Sequence, residues 1–318
     1  MKWINKAALL IIAACLAGCT QPPPAPLRVV SSPWPGYEPL YLARDLGYLN
    51  EASVRITELP SSNITMEAFR NGSADIATLT LDETVMLLSQ GRKLRILLAM
   101  DVSHGADAVM ARPSIRTLAD LKGKRLAIEN ISLGEYMFSR MLEAAGLAAA
   151  DITVISLPED KHEKAYLQGE IDAAITFEPF KTRLAKAGAH VLFDSSRIPG
   201  EIFDLMVVRE DVFKTRRNEL CQFVHQWFRT LDYVHANPRD AAARMGKRLG
   251  MDAKTYHAMT GGIKVPSRQE NRRLLGGDAP ALLVPARRLV ELMQREHMIP
   301  GPVDITAAID PGFEVCLQ

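Results

Sequence analysis

Gly47-Tyr48-Leu49-Asn50-Glu51-Ala52-Ser53-Val54-Arg55-Ile56-Thr57-Glu58-Leu59-Pro60 decides the fold, because it returns further along the chain as Gly146 to Pro158. Leu49, Val54, Ile56, Leu59 and Pro60 pair with Leu147, Ile152, Val154, Leu157 and Pro158 at an offset of 98. Upstream, Arg28-Val29-Val30 matches Arg125-Leu126-Ala127; downstream, Gly72-x-x-Asp75-x-Ala77 matches Gly169-x-x-Asp172-x-Ala174, both at an offset of 97. Gly and Asp are common at turns, so one such match would carry little weight. Three in the same order at nearly one offset mark a duplicated unit.

Each match falls where a strand, a helix end with a second strand, or a turn into a third strand is expected. Short apolar runs alternate with helical patterns from Leu27 onward, which is the signature of βαβ units and parallel sheets. The reading is an α/β protein with two Rossmann-like lobes, each a strand–helix–strand–helix–strand unit. A long helical segment follows from about Asn218 to Gly250, then shorter helices to about His297. In such sheets ligands sit outside the carboxyl ends of the strands. With two lobes, those edges face each other across a cleft.

Composition agrees. The chain has 318 residues, net charge +1, 24% charged, 47% hydrophobic and only 6% aromatic residues. A chain of this size buries roughly three quarters of its unfolded surface and has room for two domains. The balance excludes a disordered, collagen-like or multispan membrane chain. Near-neutral charge argues against a nucleic-acid partner, which calls for a basic face.

The first residues read as an address. Lys2 and Lys6 precede an apolar run from Ala7 to Ala17, too short to cross a bilayer as a mature helix. Leu16-Ala17-Gly18-Cys19 resembles the bacterial lipoprotein lipobox, which implies cleavage after residue 18 and acylation of Cys19; the alternative is a plain secretory signal cleaved elsewhere. Residues 20–26, with four prolines, read as a stiff tether. Loss of Lys2 and Lys6 takes the 38 basic residues to 36 against 37 acidic. Cys221 and Cys316 then remain in an oxidising compartment, as a disulfide or as two separate buried thiols; both alternatives stay open.

Trp34-Pro35-Gly36-Tyr37-x-Pro39-x-Tyr41-x-Ala43 with Gly47, Gly72-x-x-Asp75-Ile76-Ala77, Leu121-Lys122-Gly123-Lys124 and Gly169-x-x-Asp172-Ala173-Ala174 together carry a resemblance. From about Leu27 to about Gly277 the chain resembles the solute-binding proteins of the nitrate, sulfonate, taurine and thiamine-pyrimidine-precursor group of ABC importers. The resemblance implies a type II periplasmic binding protein fold, closing by hinge motion around a small molecule. It implies lobe 1 as 27–108 plus 206–318 and lobe 2 as 109–205. It also implies an ABC permease as partner, a monomer, no cofactor and no metal.

Enzymatic signatures are absent from the sequence: no Gly-x-x-x-x-Gly-Lys-Ser/Thr, Gly-x-Gly-x-x-Gly, His-Glu-x-x-His or Gly-x-Ser-x-Gly occurs. The candidate ligand residues lie at strand ends. Trp34 and Tyr37 offer flat faces for stacking, and Gly36 would let backbone approach a ligand; alternatively the aromatics pack inward. Thr80 and Asp82 offer a hydroxyl and a carboxylate, or cap the helix beginning near Glu83. Ser103 and Asp107 lie in a polar stretch expected to be hinge, cleft lining or surface loop.

In the second unit, Glu129, Ser132 and Gly134 suit a polar nest at a helix N-terminus, or a capping box of Ser132 with Glu135. Glu178 is expected at the cleft mouth, while the neighbouring Phe177 is read more as core than as a stacking surface. Asp204 belongs to the second hinge crossing, or to a solvated turn. The aromatics Phe223, Trp227 and Phe228 are spaced for a buried stripe.

Among these loop ends the acids are many, and His104 is the one cation recognised. Acidic groups repel an anion at low dielectric, so an aminopyrimidine or cationic amine fits better than a sulfonate or nitrate. The favour shown to acids at helix N-termini weakens the inference. The expectation is a lipid-anchored receptor of the cell envelope delivering a small nitrogenous ligand to a permease. The rivals are a sulfonate, taurine or nitrate receptor, a ligand-sensing module, and an enzyme like the pyrimidine synthases.

Overall fold

The computed structural model describes residues 24–129 and 132–318. The signal-like segment, Cys19 and the start of the tether lie outside the described residues. Two sheets carry the chain. The first has the order β11-β4-β10-β3-β1-β2, and the second β7-β6-β8-β5-β9. Their strands are β1 (Leu27–Ser31), β2 (Val54–Glu58), β3 (Ile76–Thr80), β4 (Leu94–Ser103), β5 (Ala108–Ala111), β6 (Arg125–Ile128), β7 (Thr153–Ser156), β8 (Ala173–Thr176), β9 (His190–Asp194), β10 (Phe203–Arg209) and β11 (Ile263–Lys264).

The internal repeat is structural. In the first sheet β1 pairs parallel to β2, with Arg28 opposite Arg55. In the second, β6 pairs parallel to β7 with Arg125 opposite Thr153. The recurring Gly-x-x-Asp turn has one physical purpose in both halves. Asp75 accepts from the Arg28 backbone N–H at 3.0 Å and from its guanidinium Nε at 3.1 Å and Nη2 at 2.6 Å. Asp172 accepts from the same three groups of Arg125 at 3.0, 3.0 and 2.8 Å. Each carboxylate thereby ties the turn before a third strand to the start of a first strand. The arginine holds both aspartates below the usual carboxylate range, against a smaller or larger cost of burial. Gly72 and Gly169 take positive φ at these turns, +83° and +74°, where a Cβ is strained.

The chain leaves the first sheet after Ser103, enters the second at Ala108, and returns from Asp194 to Phe203. β10 runs antiparallel between β3 and β4, and β5 antiparallel between β8 and β9. Several sequence boundaries shift as a result. Ala108 pairs with Thr176 in the second sheet, and Phe203 to Leu205 already pair with β4 in the first. Ser103, expected in a polar stretch, instead ends the ten-residue strand β4, which also holds Asp101. The long helical segment is two helices, Arg217–Ala236 and Pro238–Arg248, because Pro238 cannot donate within a continuing helix.

Phe223, Trp227, Phe228 and Leu231 form the buried stripe of the longer helix, which packs into the core of the first sheet. A disulfide joins Cys221 on this helix to Cys316 near the C-terminus, their Cα atoms 4.9 Å apart. Among the described residues no helix is long and apolar enough to cross a membrane.

Candidate functional site

The strand ends predicted to face a cleft do converge. A narrow cavity of about 30 Å³ is lined by Ser32, Pro33, Trp34 and Tyr37 after β1, Ser62 after β2, Thr80 and Glu83 after β3, and Asp204 of β10. From the other sheet come Asp107 just before β5, Leu133 after β6 and Phe177 after β8. That is room for about two waters, well below the roughly 300–1,000 Å³ of small-molecule pockets, so a ligand has to part the facing strand ends. Each wall therefore comes from chain ends of both sheets.

On the first sheet's side, Thr80 resolves an alternative left open by the sequence: it caps and it lines. Its hydroxyl accepts the Glu83 N–H at 3.4 Å, and Glu83 accepts the Thr80 N–H at 2.9 Å, a reciprocal capping box for helix Leu81–Ser89. Glu83 also accepts from the Ser62 hydroxyl. Tyr37 donates its hydroxyl to Asp204, and Trp34 donates Nε1–H to Asp101 Oδ2 at 2.9 Å. Trp34 also meets Phe177 edge-on across the cavity, centroids 5.9 Å apart. Phe177 is cleft surface, contrary to its reading as core.

Gly36 has a different purpose from the one expected. A Cβ there would lie 1.9 Å from Asp101 Oδ2 and 2.5 Å from Trp34 Nε1. Glycine lets the Asp101 carboxylate pack against the chain, so the close approach is to protein. Gly134 is similar: its Cβ would lie 2.5 Å from the Glu129 carbonyl, so glycine seats helix Ser132–Ala145 against the end of β6. Ser132 donates to Asp82, joining the two halves beside the cavity. Asp82, Ser103, Glu129, Glu178 and the two glycines do not line it.

Ser103 instead stitches the crossings. Its hydroxyl lies 2.7 Å from that of Ser195 and accepts the Asp107 N–H at 3.2 Å. Glu178 is buried, and its carboxylate accepts the Thr182 N–H at 3.1 Å rather than opening at the mouth.

Electrostatically the site is a group of buried acids. Burial pushes Asp107 up to about 7, against the Ser103 hydrogen bond and the distant pull of Lys181. Burial, then the charge of Asp82, pushes Glu83 to about 7. Burial also raises Asp82, opposed by Ser132 and Thr80. Asp101 stands at about 7 and Asp204 well above its ordinary range, first through burial and, for Asp204, through the adjacent Asp101. Two carboxyls so placed share a proton. Oδ2 of Asp107, only 3% exposed, has no hydrogen-bond partner.

Among the described residues no lysine or arginine lines the cavity. Lys181 was missed from sequence: its Nζ donates to the Gly105 carbonyl at 2.6 Å and lies 3.9 Å from Glu178 Oε1, at the crossing rather than in the cavity. Glu83, Ser62 and Leu133 were likewise not singled out as ligand residues. Among the described residues no group of His, Cys, Asp and Glu is arranged to hold a metal ion.

Two α/β lobes joined by paired crossings, with a cavity at the facing strand ends, define the type II periplasmic binding protein architecture. A family model described as NMT1/THI5 like matches residues 34–241, and the chain belongs to that family. It is 26% identical over 163 residues to the taurine-binding periplasmic protein of Escherichia coli (strain K12), covering 50% of this chain and 51% of the relative. It is also 26% identical over 207 residues to a protein of the same organism named for binding aliphatic sulfonates, 64% of each. The chain thus spans about half to just under two thirds of the length of these curated relatives.

Among solved structures, the periplasmic aliphatic sulphonate binding protein SsuA of Escherichia coli superposes with a TM-score of 0.75 at 19% identity, over 92% of this chain and 99% of that one. The desulfurization enzyme DSZB superposes at 0.68 and 15% identity, over 92% and 98%. At these identities the likeness is one of fold, and the fold hosts both binding and catalysis.

Proposed function

We propose that the chain is an extracytoplasmic solute-binding protein of an ABC importer whose ligand presents positive charge or N–H donors. Lobe 1 is taken as 27–103 plus 203–318 and lobe 2 as 108–194, with the crossings as hinge. The observation that carries the ligand class is the cavity wall of Glu83, Asp107 and Asp204, with no lysine or arginine among the described residues that line it. An ammonium or aminopyrimidine can satisfy the bare Asp107 oxygen and favour loss of the carboxyl's proton to solvent, whereas a sulfonate would oppose ionisation of the same carboxyls. Contacts to both lobes favour the closed form, and no bond is broken. Cleavage after residue 18, acylation of Cys19 and a permease partner belong to the same reading, as does action as a single chain.

The relatives named for taurine and aliphatic sulfonates favour a second reading, a sulfonate ligand. Hydroxyls of Ser32, Ser62 and Thr80 would then be its donors. Thermal melts of the protein lacking residues 1–19 separate the two readings. Short amines and aminopyrimidines should raise the melting temperature, because a ligand bound only by the folded state stabilises it. Stabilisation by taurine and alkanesulfonates alone would overturn the cationic reading and leave the receptor intact. Turnover of a bound compound would instead support an enzyme.

A further inference from the structure

The polar contacts that join the two halves differ in their distance from the pivot. Many lie at the crossings. Ser103 meets Ser195, the Gly105 N–H donates to Ser195 Oγ at 2.6 Å, Lys181 donates to the Gly105 carbonyl, and Arg140 Nε donates to Glu201 Oε2 at 2.8 Å. A hinge turning within the crossings leaves such contacts nearly in place.

Ser132 and Asp82 stand away from the crossings. Asp82 lies in the first turn of helix Leu81–Ser89, directly after β3 in the first sheet, and Ser132 opens helix Ser132–Ala145 after β6 in the second. In the second sheet β6 lies two strands from β5, where the outgoing crossing enters, and that is about 10 Å at the spacing of paired strands. A hinge rotation of about 20° therefore carries Ser132 by about 3 Å, enough to take it out of hydrogen-bond reach. Opening breaks this bond and spares those at the crossings.

Both partners are buried, Asp82 3% and Ser132 4% exposed, so the bond is made away from water. Beside it Trp34 meets Phe177, again across the two sheets. The cavity so enclosed, about 30 Å³, is too small for a solute larger than a water or two. Binding must separate the same surfaces that the bond holds together.

We propose that Ser132 and Asp82 form a latch that holds the lobes shut and that an entering solute must break. The inference rests on the reading of the chain as a solute receptor, but not on the charge of the solute. The latch reduces the share of molecules open to solute, and apparent affinity falls by that share. Loss of one buried hydrogen bond shifts such an equilibrium by about three- to thirtyfold.

Breaking the latch from either side tests this in the chain lacking residues 1–19. Dyes on Ile64→Cys and Lys161→Cys, exposed positions early in the helices after β2 and β7, report the width of the mouth by single-molecule energy transfer. Without added solute, Ser132→Ala should raise the ratio of wide to narrow separations at least threefold over the otherwise unchanged chain. Asp82→Ala should do the same, and the double variant should add nothing further, because both changes remove one bond. Ratios within twofold of the unchanged chain in both variants would overturn the latch, whatever the solute.

Propylamine and taurine are then titrated by calorimetry into the undyed chain and its Ser132→Ala variant. Whichever binds should bind the variant at least threefold more tightly. Equal or weaker binding would overturn the claim that the latch competes with solute. Binding of neither compound by either chain would count against both ligand classes, and the dye ratio alone would then decide the latch.

Discussion

Replacing Asp107 by Asn isolates the strain that the unliganded cleft carries. In the folded chain Asp107 holds its proton up to about 7, against an ordinary value of 3.8. Between those values the folded state binds a proton that the unfolded chain has released. Stability therefore falls as pH rises through this window and levels off above about 7. Each pH unit across the window is worth about 1.4 kcal/mol at most. Relaxation and water entry reduce the full span to about 2–4 kcal/mol.

The groups around the carboxyl are Asp82, Asp101 and Lys181, so the acids dominate. His162 acts in the opposite sense, since burial lowers it to about 4 and its stabilising neutrality is gained as pH rises. For that reason the difference between wild type and variant is the quantity to measure, not the wild-type slope. Thermal melts without ligand should show Asp107→Asn gaining on the wild type from pH 5 to pH 8, ending about 2–4 kcal/mol more stable. For a chain of this length that is roughly 3–6 °C in melting temperature. Parallel curves across that range would refute the buried, unpaired carboxyl.

Other outcomes follow from the same contacts. Gly36→Ala, which sets a methyl 1.9 Å from Asp101 Oδ2, should lower stability by about 1–3 kcal/mol in a melt and displace Trp34, read by its fluorescence. Asp75→Ala and Asp172→Ala should each cost about 1–2 kcal/mol after allowance for the half-exposed arginines, and the double variant should cost the sum, since the latches lie in separate sheets. Reducing the Cys221–Cys316 bond, which closes a separation of 95 residues, should lower the melting temperature, with a ceiling of about 4–5 kcal/mol from chain entropy. Binding of a short amine should tighten from pH 6 to pH 8 and release protons, measured by calorimetry in buffers of different ionisation heat, because Glu83 and Asp107 both stand near 7.

The fold was legible because duplication writes itself as a repeated pattern. The Gly-x-x-Asp echo marks a strand-start latch whose partner arginines, Arg28 and Arg125, are themselves in the echo. The site was legible only in part. Trp34, Tyr37, Thr80, Asp107 and Asp204 line the cavity, since strand ends can be located from apolar runs. Ser103 was misplaced because β4 runs past its apolar stretch Ile96 to Met100, through Asp101 and Val102, before it ends. Glu83 looked like an ordinary first-turn acid, where a helix dipole alone explains it. Phe177 and Lys181 depend on what faces them across the chain crossing, which spacing does not encode.

Native mass spectrometry of freshly purified, never-unfolded protein tests the central claim most directly. The account predicts a retained small molecule with basic or N–H-bearing nitrogen. Recovery of a sulfonate or another anion without such nitrogen would contradict it.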